Sequence, residues 1–306
     1  MARGRTWPLT TWAPAVLTTL LAACSGAAAT PPAPAPADGG AAGDGGAAGA
    51  QTKIVFVAGG PSHGPGEHEY YAGSMLLARL LRQMPGLNPV VVRGWPTDLA
   101  VFSDARTIVF FTDGNQGHPL VQGDRLATLR DTLATGVGLV CLHWAVHFPD
   151  DVADAILPLL GGYYSDLISV NPVWTANFAD LPAHPADRGV PAFALLDEWY
   201  YNIHFSPETS RLSAVLQALP PDQTRFTPDA ALHPGRSELV SWAFERADGG
   251  RSFGFTGAHY HRNWGDAAFR RVVLNAILWT AGLEVPADGA QADFDPAWLL
   301  ENLDPK

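Results

Sequence analysis

Cysteine is nearly missing from this chain: Cys24 and Cys141 are its only two in 306 residues. No disulfide framework can be built from them, so a stable fold has to come from buried apolar surface. Positive charge is scarce as well. Nineteen Lys and Arg stand against thirty Asp and Glu, a formal net charge of −11. Without a Lys/Arg cluster to neutralise phosphates, nucleic acid is excluded as a partner. Several local signatures are also absent. There is no G-x-G-x-x-G dinucleotide fingerprint, no Gly-Lys-Ser/Thr phosphate loop, no H-E-x-x-H zinc motif and no internal repeat. Ten Trp and seven Tyr are present, which suits a sugar-stacking pocket as well as an ordinary core.

The two ends read differently from the middle. Residues 1–24 begin with Arg3 and Arg5, continue through Val16, Leu17, Leu20 and Leu21, and close on Leu21-Ala22-Ala23-Cys24. A positive start, a short apolar stretch and small residues before a cut make a secretory signal. The stretch falls short of the roughly 20 residues that a bilayer span needs. Leu-Ala-Ala-Cys is similar to a bacterial lipobox, which implies cleavage before Cys24 and lipidation of its thiol. A domain anchored in this way would face the periplasm or the cell exterior. Residues 25–51 are almost entirely Ala, Gly, Pro and Thr, and are expected to be a disordered tether. Residues 286–306 are acidic, with one apolar patch at Trp298-Leu299-Leu300, and are expected to pack loosely or not at all. That leaves 52–285 as the folded domain, large enough for a single core.

Within it, strand-length apolar runs alternate with helical patterns. Strands are expected at 53–58, 89–93, 107–112 and 137–142, with helices at 67–84 and 122–135 between them. An irregular segment follows from Phe148 to about Ala192. Strands return at 213–216, 238–244 and 252–256, and a last helix covers 266–280, capped by Gly282. The alternation predicts a single α/β domain with a mostly parallel sheet flanked by helices.

Histidines cluster just after the apolar runs. His63 and His68 follow the first, His143-Trp144 the fourth, and His259 and His261 the last. Parallel strands put their carboxyl ends on one rim, where ligands bind in open α/β sheets. His63, His143 and His259 are therefore expected to meet, joined by Glu198 of Asp197-Glu198-Trp199-Tyr200-Tyr201-Asn202. A carboxylate beside aromatic rings is suited to acid/base work. We assign His143 and Glu198 to proton transfer, with His63 and His259 polarising a carbonyl. His63, His143 and His259 are also the candidate ligands of a divalent metal such as zinc. His68, Trp144, Tyr200, Tyr201, Asn202, His261 and Trp264 are the candidate substrate contacts. His259 and His261, two apart, would share a face in extended chain. Cys141 sits inside an apolar run without the small flanking residues of a nucleophile elbow, so it reads as core.

The tracts Ser62-His63-Gly64-Pro65-Gly66-Glu67-His68-Glu69, His143-Trp144 and Glu198-Trp199-Tyr200-Tyr201-Asn202 carry a family resemblance, together with Phe253 to Trp264 and Trp279-Thr280-Ala281-Gly282. From about Lys53 to Glu284 the chain resembles the ThuA-like (trehalose-utilisation) family. That resemblance implies a fold similar to class I glutamine amidotransferases, flavodoxin-like in layout, but without their nucleophile. It also implies a link to disaccharide and keto-sugar metabolism. The expected function is an enzyme acting on a sugar or keto-sugar glycoside (isomerase, lyase or hydrolase) by acid/base chemistry open to metal assistance. The alternative is a non-catalytic, periplasmic sugar-binding lipoprotein.

Overall fold

The computed structural model describes residues 51–306. The signal segment, Cys24 and the 25–51 tether lie outside the described residues, apart from Gln51. The chain forms β1 (Thr52–Ala58), α1 (Tyr70–Leu81), β2 (Leu87–Arg93), β3 (Ala105–Phe111), α2 (Arg125–Leu133), β4 (Gly138–Leu142) and α3 (Ala153–Leu160). It continues through β5 (Gly162–Tyr163), β6 (Val173–Phe178), β7 (Phe193–Glu198), β8 (His204–Phe205), β9 (Leu212–Ala218), β10 (Glu238–Glu245), β11 (Arg251–Phe255) and α4 (Ala267–Thr280). Seven strands make one sheet in the order β2-β1-β3-β4-β11-β10-β9. The first five run parallel; β10 is antiparallel to both β11 and β9. The α/β architecture is the one expected.

The inner strands β1, β3 and β4 are apolar along most of their length because both faces of the sheet are covered. Ile54, Phe56, Val109, Phe111, Val140 and Leu142 face α1 and α4, whereas Val55, Val57, Ile108, Phe110, Leu139 and Cys141 face α2 and α3. Alternation along each strand sorts them. Cys141 is fully buried in the second layer, and burial pushes its thiol pKa well above the ordinary range, so it is no nucleophile. Among the described residues no helix is long and apolar enough to cross a membrane.

Three expectations are corrected. The first helix begins at Tyr70 rather than Glu67. His68 sits at φ 46°, its N–H donates to the His259 carbonyl at 3.0 Å, and Glu67 forms a β-bridge with Tyr260, which holds this stretch against the loop after β11 instead of in the helix. The segment read as irregular contains α3, closed by Gly161 at φ 80°, and a two-stranded β6–β7 ribbon. The tail does not hang loose. Ala290 joins the core, the Arg79 guanidinium lies 3.9 Å over Trp298, and the Asp304 N–H donates to Glu69 Oε2 at 2.8 Å. Lys306 Nζ stands 3.3 Å from Glu69 Oε1, where its ammonium meets a carboxylate that is 2 % exposed. The tail thereby ends against the back of the loop carrying His63 and His68.

Candidate functional site

The loops after β1, β3, β4 and β11 open on the same rim of the sheet, and each brings polar side chains to it. Asp113 follows β3, His143 follows β4 directly, and His259 follows β11. His63 and His68 come from the glycine-rich loop between β1 and α1. His63 (φ 60°), His68 (φ 46°), His143 (φ 54°) and Ala258 (φ 87°) all hold left-handed backbone. Such conformations are costly for non-glycine residues and concentrate where geometry is functional.

The side chains converge. His68 Nε2 is 2.9 Å from His259 Nδ1 and 3.0 Å from His143 Nε2. Glu198 Oε2 stands 3.2 Å from His259 Nδ1 and 3.5 Å from His143 Nε2. One ligand atom from each of His68, His143, Glu198 and His259 lies within 4.8 Å of all the others, a set that could hold a metal ion. Each imidazole is also held from behind. His143 Nδ1 donates to the Thr256 carbonyl at 2.8 Å, and His68 Nδ1 meets the Tyr70 hydroxyl at 2.7 Å. His259 Nε2 faces Glu67 Oε1 at 3.7 Å. Metal-bound histidines commonly give their second nitrogen to a carboxylate, a carbonyl or a polar bridge, so this arrangement fits a metal centre.

Electrostatics agree with that fit. Burial pushes His143 down to about 4, and burial with the neighbouring imidazoles pushes His68 further still, so both rings are neutral at pH 7. Burial opposes the charge on Glu198, but His259 and His143 outweigh it and hold the carboxyl below its usual value. For His259 burial acts downward, and the Glu198 carboxylate reverses it to a net rise. The neutral histidines set a pH dependence. Burial holds His143, His184 (about 4) and His118 (about 3) below the unfolded value of 6.5. The unfolded chain therefore takes up more protons below 6.5, and stability is lost as pH falls from 6.5 towards 4. Each group contributes at most about 1.4 kcal/mol per pH unit. His259 opposes, as do the buried carboxyls of Asp187 and Asp197, both raised by burial. His68, His147 and His261, also lowered by burial, add to the loss. Thermal melts across that range should show the midpoint dropping; a flat profile would contradict the buried neutral histidines.

Two members of the centre, His68 and Glu198, open with His63 on a 220 Å³ pocket walled by Trp144, His147, Tyr164, Asp166 and Tyr200. Tyr200 places its hydroxyl 3.2 Å from His143 Nε2. At the mouth, Asn171 Nδ2 donates to Glu198 Oε1 at 3.1 Å. A larger groove of 400 Å³ near Met84 and Leu283 has Glu284 as its one titratable wall residue and lies at the far end of the sheet.

The sequence expectation is altered in several members. His63, expected in the metal set with His143 and His259, lies outside it. Its ring is 3.7 Å from that of His68, and its Nδ1 pairs with the Ser62 hydroxyl at 2.8 Å, so it caps the centre while His68 enters it. Tyr201 and Asn202 do not reach the pocket. Neighbouring extended residues point opposite ways, so Tyr200 faces inward while Tyr201 bonds Thr224; Asn202 leaves the extended path at φ 55° and bonds Asp229 and Ile168 instead. His261 parts from His259 because a 3₁₀ turn begins at that residue and breaks the extended spacing; it is buried beside Leu299. Trp264 is fully buried against Phe111 and Phe269. Trp144 does line the pocket.

Other groups escaped sequence reasoning. His147, whose spacing from His143 was the one available signal, accepts from the Trp144 indole at 3.0 Å and stands 3.0 Å from Asp166. Tyr70, Asp113 and Asn171 carried no signal. Asp197 is fully buried and accepts from the N–H groups of Ala258 (2.8 Å), His259 (3.1 Å) and Glu198 (2.8 Å), and from Asn263 Nδ2 (3.0 Å). It ties the end of β7 to the loop after β11.

The profile of a family described as trehalose utilisation (ThuA) matches residues 69–280. No curated protein matches the chain. A solved ThuA-like protein from Bacteroides uniformis superposes with a TM-score of 0.54 at 14 % identity, covering 79 % of this chain and 95 % of its own. PurLQS from Thermotoga maritima gives a TM-score of 0.37 at 10 % identity, over 76 % of this chain and 97 % of its own.

Proposed function

The chain belongs to the ThuA, or trehalose utilisation, family, and from that premise we propose that it is an enzyme acting on a sugar or keto-sugar glycoside. The reaction is proton transfer next to a sugar carbonyl, leading to isomerisation or elimination, at a centre built to take a divalent metal such as zinc. One observation carries this reading. Two neutral imidazoles, each with its Nδ1 already engaged, turn their Nε2 atoms towards each other at 3.0 Å beside a third imidazole and a carboxylate. A proton or a cation belongs at such a point.

His68, His143 and His259 supply three nitrogens, the count typical of catalytic zinc sites that leave a position open. A metal bound there would polarise the substrate carbonyl. Glu198 serves as the base. It is anchored by Asn171 at one oxygen and directs the other to the centre, within reach of a proton on the adjacent carbon. Tyr200, whose hydroxyl pKa is raised by burial and by the Glu198 charge, stays protonated and can donate to a developing oxyanion. Trp144 offers an aromatic edge for the ring, with Asp166 and Asn171 as hydroxyl partners.

Elemental analysis of the purified chain, followed by a screen of glycosides and their 3-keto forms, tests this. About one zinc or similar ion per chain is expected, with turnover that His143→Ala abolishes. Tight sugar binding with no product from any substrate would favour a non-catalytic binder and overturn the proposal.

A further inference from the structure

Tyr70, the first residue of α1, is fully buried, and its hydroxyl oxygen contacts two groups at once. It lies 2.9 Å from Asp113 Oδ1 and 2.7 Å from His68 Nδ1. A phenol has one proton to give. A carboxylate oxygen accepts, so the short Tyr70–Asp113 contact places the phenolic proton between them. The Tyr70 oxygen is then left as an acceptor towards His68, and His68 must carry its proton on Nδ1.

We propose that Asp113 and Tyr70 are positioning residues that set the tautomer of His68 and so aim its Nε2 lone pair at the metal-binding point. The chain of inference runs from the strand end to the centre. Asp113, two residues past β3, fixes the Tyr70 proton; Tyr70 fixes the His68 proton; His68 Nε2 is left bare, 3.0 Å from His143 Nε2. His143 is fixed in the same sense by the Thr256 carbonyl at 2.8 Å. The two rings therefore present matching lone pairs by two unlike devices, one a backbone carbonyl and the other a carboxylate acting through a phenol. This also gives β3, which contributes no histidine, its part in the rim. The inference rests on the proposed centre only for its metal readout; the tautomer itself belongs to the protein with or without an ion.

The test uses the full chain labelled with ¹⁵N at histidine and stripped of metal by chelator. Long-range ¹H–¹⁵N correlation spectra should show His68 as the Nδ1–H tautomer. In Asp113→Ala the phenolic proton is released to turn towards His68, and the Nε2–H tautomer should take over. In Tyr70→Phe neither form is imposed and the two should mix. Zinc affinity, measured by competition with a chromophoric chelator, should weaken by about 10–100-fold in Asp113→Ala. A merely structural role predicts the reverse ranking, with the fully buried Tyr70 the more sensitive site and the tautomer unmoved in Asp113→Ala. Circular dichroism confirms that each variant is folded, and His143→Gln, which removes a proposed ligand instead of a tautomer partner, should abolish zinc binding while leaving His68 as Nδ1–H. An Nε2–H tautomer in the unaltered protein would overturn the proposal, as would an Asp113→Ala variant with unchanged tautomer and zinc affinity within twofold. Zinc failing to bind even the unaltered chain, with the tautomer responding as expected, would remove the metal reading alone.

Discussion

Glu198→Gln is expected to lower turnover by about 10²–10⁴-fold, the usual contribution of a positioned general base, while leaving zinc content near that of the unaltered chain. The amide keeps the shape of the side chain and still accepts from Asn171 Nδ2, which now binds Glu198 Oε1 at 3.1 Å. It cannot take up a proton. The same substitution separates two roles that geometry alone leaves adjacent, since Glu198 Oε2 sits 3.2 Å from one proposed ligand nitrogen and 3.5 Å from another. A base can lose its charge without releasing the ion; a fourth ligand cannot. Measuring kcat on the best glycoside substrate together with zinc per chain distinguishes them. If zinc is lost in parallel with turnover, Glu198 is a ligand and the three-histidine centre is wrong. If turnover is unchanged, the proton is moved by another group.

Much of the fold was legible because a two-sided sheet writes itself as uninterrupted apolar runs. Ile54 to Ala58 and Leu139 to Leu142 had no polar residue to hide, and the helices between them left the parallel order nearly forced. The convergence of His143 and His259 followed from the same rule, because strand ends share a rim; Glu198 lies outside that sheet, and its arrival depends on how the β6–β7 ribbon folds over the rim. What was not legible depended on contacts between loops. Whether His63 or His68 enters the centre is decided by φ at each residue and by one hydrogen bond from His68 to the His259 carbonyl, which no spacing encodes. His261 was misplaced because period-two reasoning holds only while the chain stays extended, and a 3₁₀ turn begins there. The tail was misread because its anchor lies elsewhere. Asp304 and Lys306 close on Glu69, more than two hundred positions earlier, so the acidic composition of 286–306 gave no hint of a docking partner.

Asp197 is the residue whose loss should cost the fold most among those around the site. It is fully buried, and each of its oxygens accepts two N–H donors: Oδ1 those of Glu198 and His259, Oδ2 that of Ala258 and the side-chain amide of Asn263. Burial drives its carboxyl pKa upward, and those donors work in the opposite sense. In Asp197→Asn one oxygen keeps its two donors, but an NH₂ group now faces the other two, setting donor against donor. Each buried donor left unsatisfied costs about 1–3 kcal/mol, so the two together should cost about 2–6 kcal/mol of stability. For a domain of this size that lowers the melting temperature by roughly 4–24 °C. The damage should also be local. Ala258 holds φ at 87°, a conformation unfavourable for alanine, and the bond from its N–H to Asp197 is what keeps it there. Freed from that bond, the loop after β11 can relax, and His259 moves with it. Zinc affinity should therefore fall in Asp197→Asn, although Asp197 touches no metal-binding atom. Differential scanning calorimetry and chelator competition on the same sample measure both effects. A melting point within 2 °C of the unaltered chain would show that the four donors find water or other partners, and that the β7 end does not hold His259 in place.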